Sequence, residues 1–156
     1  MRMLLNILWN VPGLGFVAAF LWAVAGVLMA ITIIGLPWSK ACFTMANYTL
    51  APFGRELASR YDVTGRPSLG TGDLGLLANI IWFLLAGWWL IVVHVLAACA
   101  SAITIIGLPF AWAHLKIAVA ALAPVGKVVV PTEVAAQIDR DKAAGWLHDQ
   151  HRRWGG

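Results

Sequence analysis

The residues that could do chemistry in this chain are few, and those set in apolar stretches are basic or hydroxylic rather than acidic. Lys40, Lys116 and His114 lie close behind two identical segments, Thr32-Ile33-Ile34-Gly35-Leu36-Pro37 and Thr104-Ile105-Ile106-Gly107-Leu108-Pro109. In each segment glycine ends one helix and proline, which has no N–H to leave unpaired, opens the next. A newly opened helix presents free N–H groups and about half a positive charge, which favours an anion. Thr32, Gly35, Pro37, Lys40, Thr104, Gly107, Pro109, His114 and Lys116 therefore form a candidate site for a small solute, most naturally an anion. The competing reading is that both lysines lay their stems along apolar surface and reach lipid headgroups.

Other chemistry lacks its residues. All seven acidic side chains (Glu56, Asp62, Asp73, Glu133, Asp139, Asp141, Asp149) fall between Arg55 and Asp73 or after Lys127. No carboxylate is left in the apolar stretches to load and release a proton, which argues against proton-driven transport. No paired carboxylates, metal-ligand cluster or nucleophile elbow is present, and Gly13-x-Gly15 and Gly70-x-Gly72 lack the strand and helix context of a phosphate loop. The expectation is a protein that is not an enzyme, with no catalytic or metal residue and no cofactor. Cys42 and Cys99 have no CxxC spacing and read as small packing residues. The net charge of +4 is interleaved with acids rather than gathered into a basic, aromatic patch, so nucleic acid is not an expected partner.

What must position these residues is membrane helix. Hydrophobic side chains make up 61% and charged ones 12% of the chain, and the mean hydropathy is +0.81. The blocks Leu14 to Ile34 and Leu74 to Ile106 each reach the roughly 20 residues a helix needs to cross a bilayer. Ordered repetition joins them. The Ile-Thr-Ile-Ile-Gly-Leu-Pro segment recurs at an offset of 72, as Ala51-Pro52-Phe53-Gly54 does in Ala123-Pro124-Val125-Gly126, and Asn6-Ile7-Leu8-Trp9 recurs at 73 as Asn79-Ile80-Ile81-Trp82. The repetition makes the N-terminal segment part of the structural unit rather than a cleaved leader.

The expected fold is an all-α membrane protein of two tandem helical hairpins and four crossings. Its parts are a first repeat over 1–54, a polar cytoplasmic loop over 55–73, a second repeat over 74–130 and an amphipathic tail helix over 131–156. The second helix of each hairpin is expected from Pro37 to about Leu57 and from Pro109 to about Val130. The placement of Lys and Arg puts both termini and the loop on the cytoplasmic side and leaves the Gly-Leu-Pro turns opposite. One crossing per unit would instead give inverted repeats. Trp9 and Trp82, and across from them Trp38 and Trp112, read as interfacial belts, and Gly26-x-x-x-Ala30 and Ala98-x-x-x-Ala102 as close-packing helix faces.

At the duplicated Ile-Ile-Gly-Leu-Pro segments and the Ala-Pro-x-Gly exits the sequence resembles the YccF family of small bacterial inner-membrane proteins, whose domain occurs in two copies. The resemblance runs from about Asn6 to Gly126 and implies a bacterial inner-membrane location, without an activity or a catalytic residue to carry over. Two functions are then expected: an oligomeric channel or passive transporter for a small solute, or a non-transporting accessory subunit of a larger membrane complex. The expected partners are the lipid bilayer, further copies of the chain for the first reading, and a different membrane protein for the second.

Overall fold

Two apolar hairpins and a polar layer over them make up the described residues, 1–11, 14–67 and 70–154 of a computed structural model. Gly13 of the Gly13-x-Gly15 pair and the last two glycines of the tail lie outside them. In the first unit α1 (Arg2–Asn10) and α2 (Leu14–Ile31) lead to a break at Ile33–Gly35, and α3 (Leu36–Leu50) returns. Strand β1 (Arg55–Ser59) and the short α4 (Arg60–Thr64) follow. The second unit has α5 (Gly72–Trp82), α6 (Trp88–Ala102), the returning α7 (Leu108–Leu122) and β2 (Lys127–Pro131), and α8 (Thr132–Trp154) ends the chain.

A π-helical turn at Phe83–Gly87 joins α5 to α6, so Gly72–Ala102 is one apolar helix of 31 residues. At about 1.5 Å per residue it exceeds the roughly 30 Å of a hydrocarbon core. Helices α1 and α2 reach membrane length only as a pair, bent by 75°. Helices α3 and α7 have 15 residues each, and at roughly 22 Å each falls short of a crossing by itself.

These two helices end earlier than the expected Leu57 and Val130, for a local reason. Pro52 and Pro124 cannot donate to a helical ladder, and the glycines two residues later take left-handed backbone, φ +83° at Gly54 and +82° at Gly126. The chain emerges extended. Arg55–Ser59 then pairs antiparallel with Lys127–Pro131, where Val128, Val129 and Val130 suit a pleated, half-buried surface. Leu57 sits opposite Val129, its own counterpart at an offset of 72, so the ladder has a local two-fold axis between them. The bonds that lengthen it keep that symmetry: Arg60 N–H donates to Gly126 C=O at 2.8 Å and Thr132 N–H to Gly54 C=O at 3.1 Å. The helical fold therefore carries a short sheet, and the first strand occupies what reads in sequence as loop.

The structure also gives the Asn-Ile-x-Trp motif its reason. Asn6 donates to Phe53 C=O and accepts from Phe53 N–H, both at 3.1 Å. Asn79 does the same at Val125, at 3.1 and 3.0 Å. One turn on, the Trp9 indole N–H donates to Thr49 C=O at 2.8 Å and that of Trp82 to Ala121 C=O at 2.9 Å. Proline and glycine free backbone groups at each exit, and these side chains satisfy them.

Between the units, Trp38 in the first turn of α3 donates to Ala78 C=O of α5 at 3.1 Å, while Phe110 in the first turn of α7 lies 6.3 Å from Phe53. Helices α3 and α7 thus run antiparallel, and each Gly-Leu-Pro break stands beside the exit of the other unit. Trp9, Cys42, Met45, Tyr48, Ala113, Ile117 and Ala121 fill the space around them, and Trp22 stacks on Trp82 at 5.7 Å. Helix α8 packs against both strands, and its Lys142 pairs with Asp62 of α4. The break residues Ile33 and Ile105 are 85% and 87% exposed.

Candidate functional site

At the breaks, the threonines expected to hold an anion also take part in the turn. Thr32 donates its hydroxyl to Met29 C=O at 2.9 Å, and Gly107 N–H donates to the Thr104 hydroxyl at 3.0 Å. Gly35 and Gly107 are buried against the last helical turn: an added Cβ would come within 2.3 Å of Met29 O at the first and 1.9 Å of Ser101 O at the second. Pro37 and Pro109 each sit in the opening turn of a helix, where their missing N–H costs nothing.

The two lysines stand in different corners. Lys116, midway along α7, lies at the first unit's exit, donating to Pro52 C=O at 3.1 Å and Arg55 C=O at 2.8 Å. It also pairs with Glu56 at 2.8 Å and lies 5.7 Å from the centre of the Tyr48 ring. An ammonium has three N–H groups, and here each has an acceptor. Lys40, near the start of α3, lines a cleft of about 160 Å³ at the second unit's exit, together with Arg60 and Lys127. The expected pairing of Lys40 with Lys116 is not formed. Spacing along the chain missed Glu56 as a partner because 60 residues separate it from Lys116; nothing short of the antiparallel placement of α7 on the first exit brings them together.

His114 is buried against the Trp9 ring, 4.9 Å between centres, and its Nδ1 is 3.1 Å from Nδ1 of His94. One imidazole must donate and the other accept across that contact, so at least one of the pair is neutral. Gly26 packs on Phe43, whose ring atoms would be 3.1–3.2 Å from an added Cβ, and Ala98 is buried, while Ala30 and Ala102 are exposed. The small residues thus serve packing inside each hairpin at their first members only. Trp9 and Trp82 are buried at 1% and 6% exposure, which removes them from an interfacial belt: each indole N–H is drawn inward by its backbone acceptor. Trp112 is exposed.

Along α8 the apolar residues do not gather on one side, since at 3.6 residues per turn Leu147 points away from Val134 and Ile138, and none of its residues is buried. Its start is strapped to the N-terminus by an ion pair between Arg2 and Glu133. The Arg2 hydrogen bond holds the Glu133 carboxyl below its usual range. A bond that favours the ionised form is present above the ordinary carboxylate range and lost as pH falls through it. Amide exchange at Thr132–Gln137 should therefore speed up as pH drops from about 7 to about 3, beyond the intrinsic trend, and Glu133→Gln should abolish that pH dependence.

The family model described as an inner membrane component domain, YccF, matches residues 4–55 and 77–127, one segment for each hairpin up to its exit. Inner membrane protein YccF of Escherichia coli (strain K12) is 38% identical over 138 residues, covering 86% of this chain and 91% of that protein. The protein of the same name from Shigella flexneri gives the same values. No solved structure matches. Two matched segments, in register with the duplicated Asn-Ile-x-Trp, Gly-Leu-Pro and Ala-Pro-x-Gly motifs, place this chain in the YccF family.

Proposed function

We propose that the chain is a non-enzymatic accessory component of the bacterial inner membrane, held in lipid by its hairpins, with the sheet and α8 offered on the cytoplasmic side to a partner protein. The location follows the name carried by the Escherichia coli relative. The observation that carries the role is where the polar groups go. Lys116 is enclosed by acceptors of its own chain, and the space between α3 and α7 is filled by Met45, Ile117 and their neighbours. Among the described residues, the space between the two returning helices of a single copy is thus taken up by apolar and aromatic side chains. The mass of the protein extracted in native lipid particles tests this: a monomer or a stoichiometric complex with a different chain is expected. A homo-oligomer of four or more copies that passes anions after reconstitution would replace this reading with the channel.

The neighbourhood of break and exit bears on depth. Pro37 and Gly126 line the same cleft, so the first break lies close to the polar layer, and the hairpins are proposed to dip into the bilayer from the cytoplasmic side. Four full crossings would instead put both breaks at the periplasmic face. With Cys42 and Cys99 replaced by alanine, Ile33→Cys and Ile105→Cys should react with an impermeant maleimide from the cytoplasmic side and resist it from the periplasm. Labelling of both from the periplasm would establish the four-crossing arrangement.

A further inference from the structure

Lys40, Arg60 and Lys127 converge from α3, the start of α4 and the start of β2 on one cleft of about 160 Å³. Among the described residues none of the three has an ion-pair or side-chain hydrogen-bond partner, no carboxylate lines the cleft, and two carboxylates of the polar layer are engaged elsewhere, Glu56 by Lys116 and Asp62 by Lys142. Three like charges without a counter-ion repel one another, which a fold does not adopt for its own stability. The related corner shows that the architecture does not need them. At the positions 72 residues away stand Trp112 for Lys40 and Thr132 for Arg60; the counterpart of Lys127 is Arg55, which donates to Asn47 at 2.9 Å. At these matched positions one exit thus carries three cations without partners and the other a single arginine, already bonded, while Lys116, from α7, is paired there with Glu56.

The rest of the cleft limits what could fill it. Leu36, Pro37 and Val125 give it apolar walls, and in sequence Leu36 follows the exposed break residues Ile33 and Ile34. An anion with an apolar extension suits such a site better than a fully hydrated one. Guanidinium and ammonium groups together match the several oxygens of a phosphate.

We propose that this cleft binds a phosphate-bearing anion, with Lys40, Arg60 and Lys127 as its cationic ligands and the acyl region of an anionic phospholipid as the natural occupant of the adjoining apolar surface. The proposal concerns a different corner from the one that holds Lys116 and stands whether or not the chain is an accessory subunit.

The test uses the full chain purified in detergent and native mass spectrometry, with phosphatidylglycerol titrated against it and phosphatidylcholine as the zwitterionic reference. Selective retention of phosphatidylglycerol is expected. With each cation contributing a few-fold, the triple variant Lys40→Gln/Arg60→Gln/Lys127→Gln should weaken retention about a hundredfold. Because Lys40 is exposed, Lys40→Gln alone should fold normally and weaken retention by about fivefold, which keeps the test decisive if the triple variant does not fold. Arg55→Gln at the other exit should change it by less than about twofold. A parallel titration with inorganic phosphate separates the sources: if phosphate alone displaces the lipid with the same dependence on Lys40, the occupant is a free phosphate, and if it does not, the occupant is the lipid. Equal retention by wild type and Lys40→Gln, or an Arg55→Gln loss as large as that of Lys40→Gln, would overturn the site.

Discussion

Gly126→Ala should cost at least about 3 kcal/mol, enough to deplete the folded protein. At φ +82° an alanine meets the left-handed penalty of about 1–2 kcal/mol. Its Cβ would also lie 1.9 Å from Gly70 O and 2.8 Å from Gly70 C, backbone atoms that cannot rotate away. The loss would spread, since Gly126 C=O accepts from Arg60 N–H and so fixes one end of the ladder. Two companions grade the effect. Gly54→Ala has nearly the same φ, +83°, but its Cβ meets the flexible Arg2 side chain at 2.6 Å, so a smaller loss is expected. Gly65→Ala, φ +65° with nothing within 4 Å, should lose only about 1 kcal/mol. Unfolding midpoints in detergent give the order, and equal shifts for Gly126→Ala and Gly65→Ala would remove the close approach as its cause.

Lys116→Met should destabilise the chain by about 2–3 kcal/mol, below the 3–5 typical of a broken buried pair because Glu56 is partly open to solvent. The Lys116 side chain is 14% exposed and that of Glu56 37%. Methionine fills the same apolar stem but abandons the carbonyls of Pro52 and Arg55 as well as the carboxylate. Adding Glu56→Gln should therefore recover only part of the loss. Lys40→Met, by contrast, should stay within about 0.5 kcal/mol, as exposed substitutions usually do. Thermal midpoints of the three variants check this. If Lys116→Met leaves stability unchanged, the lysine is not a structural strut and its role in solute passage returns to consideration.

The contrast between the lysines shows how much was legible before folding. Identical residue type, apolar surroundings and closeness to a Gly-Leu-Pro break made Lys40 and Lys116 look like partners. They are not at repeated positions: the counterpart of Lys40 is Trp112 and that of Lys116 is Thr44. What separates them is the antiparallel placement of α3 on α7, set by contacts such as Trp38 with Ala78 that no local pattern encodes. The breaks themselves were readable, because Gly-Leu-Pro acts through backbone geometry that depends only on its own residues. So was the pairing of motifs at a fixed offset, although its chemistry, an asparagine amide doubling as a peptide group at each exit, was not. The strands escaped notice because Arg55–Ser59 has no alternating apolar pattern. It becomes a strand by facing Val128–Val130, whose β-branched run reads equally well as the end of a buried helix. Trp9 and Trp82 were misleading for a related reason: tryptophan near the start of an apolar helix marks an interface only when its N–H finds its acceptor there.

The ladder between Leu57 and Val129 also carries a history. A strand that pairs antiparallel with its own counterpart can pair in the same way with an identical copy of itself. A chain of one unit would present β1 unpaired and could close the same five-residue ladder as a homodimer. Joining two units in one polypeptide turns that encounter into an intramolecular one, independent of how dilute the protein is in the membrane. Once the two halves no longer had to be identical, a mutation could alter one exit without altering the other. Three cations at one set of positions and a single bonded arginine at the matching set are what such a release from symmetry would leave behind.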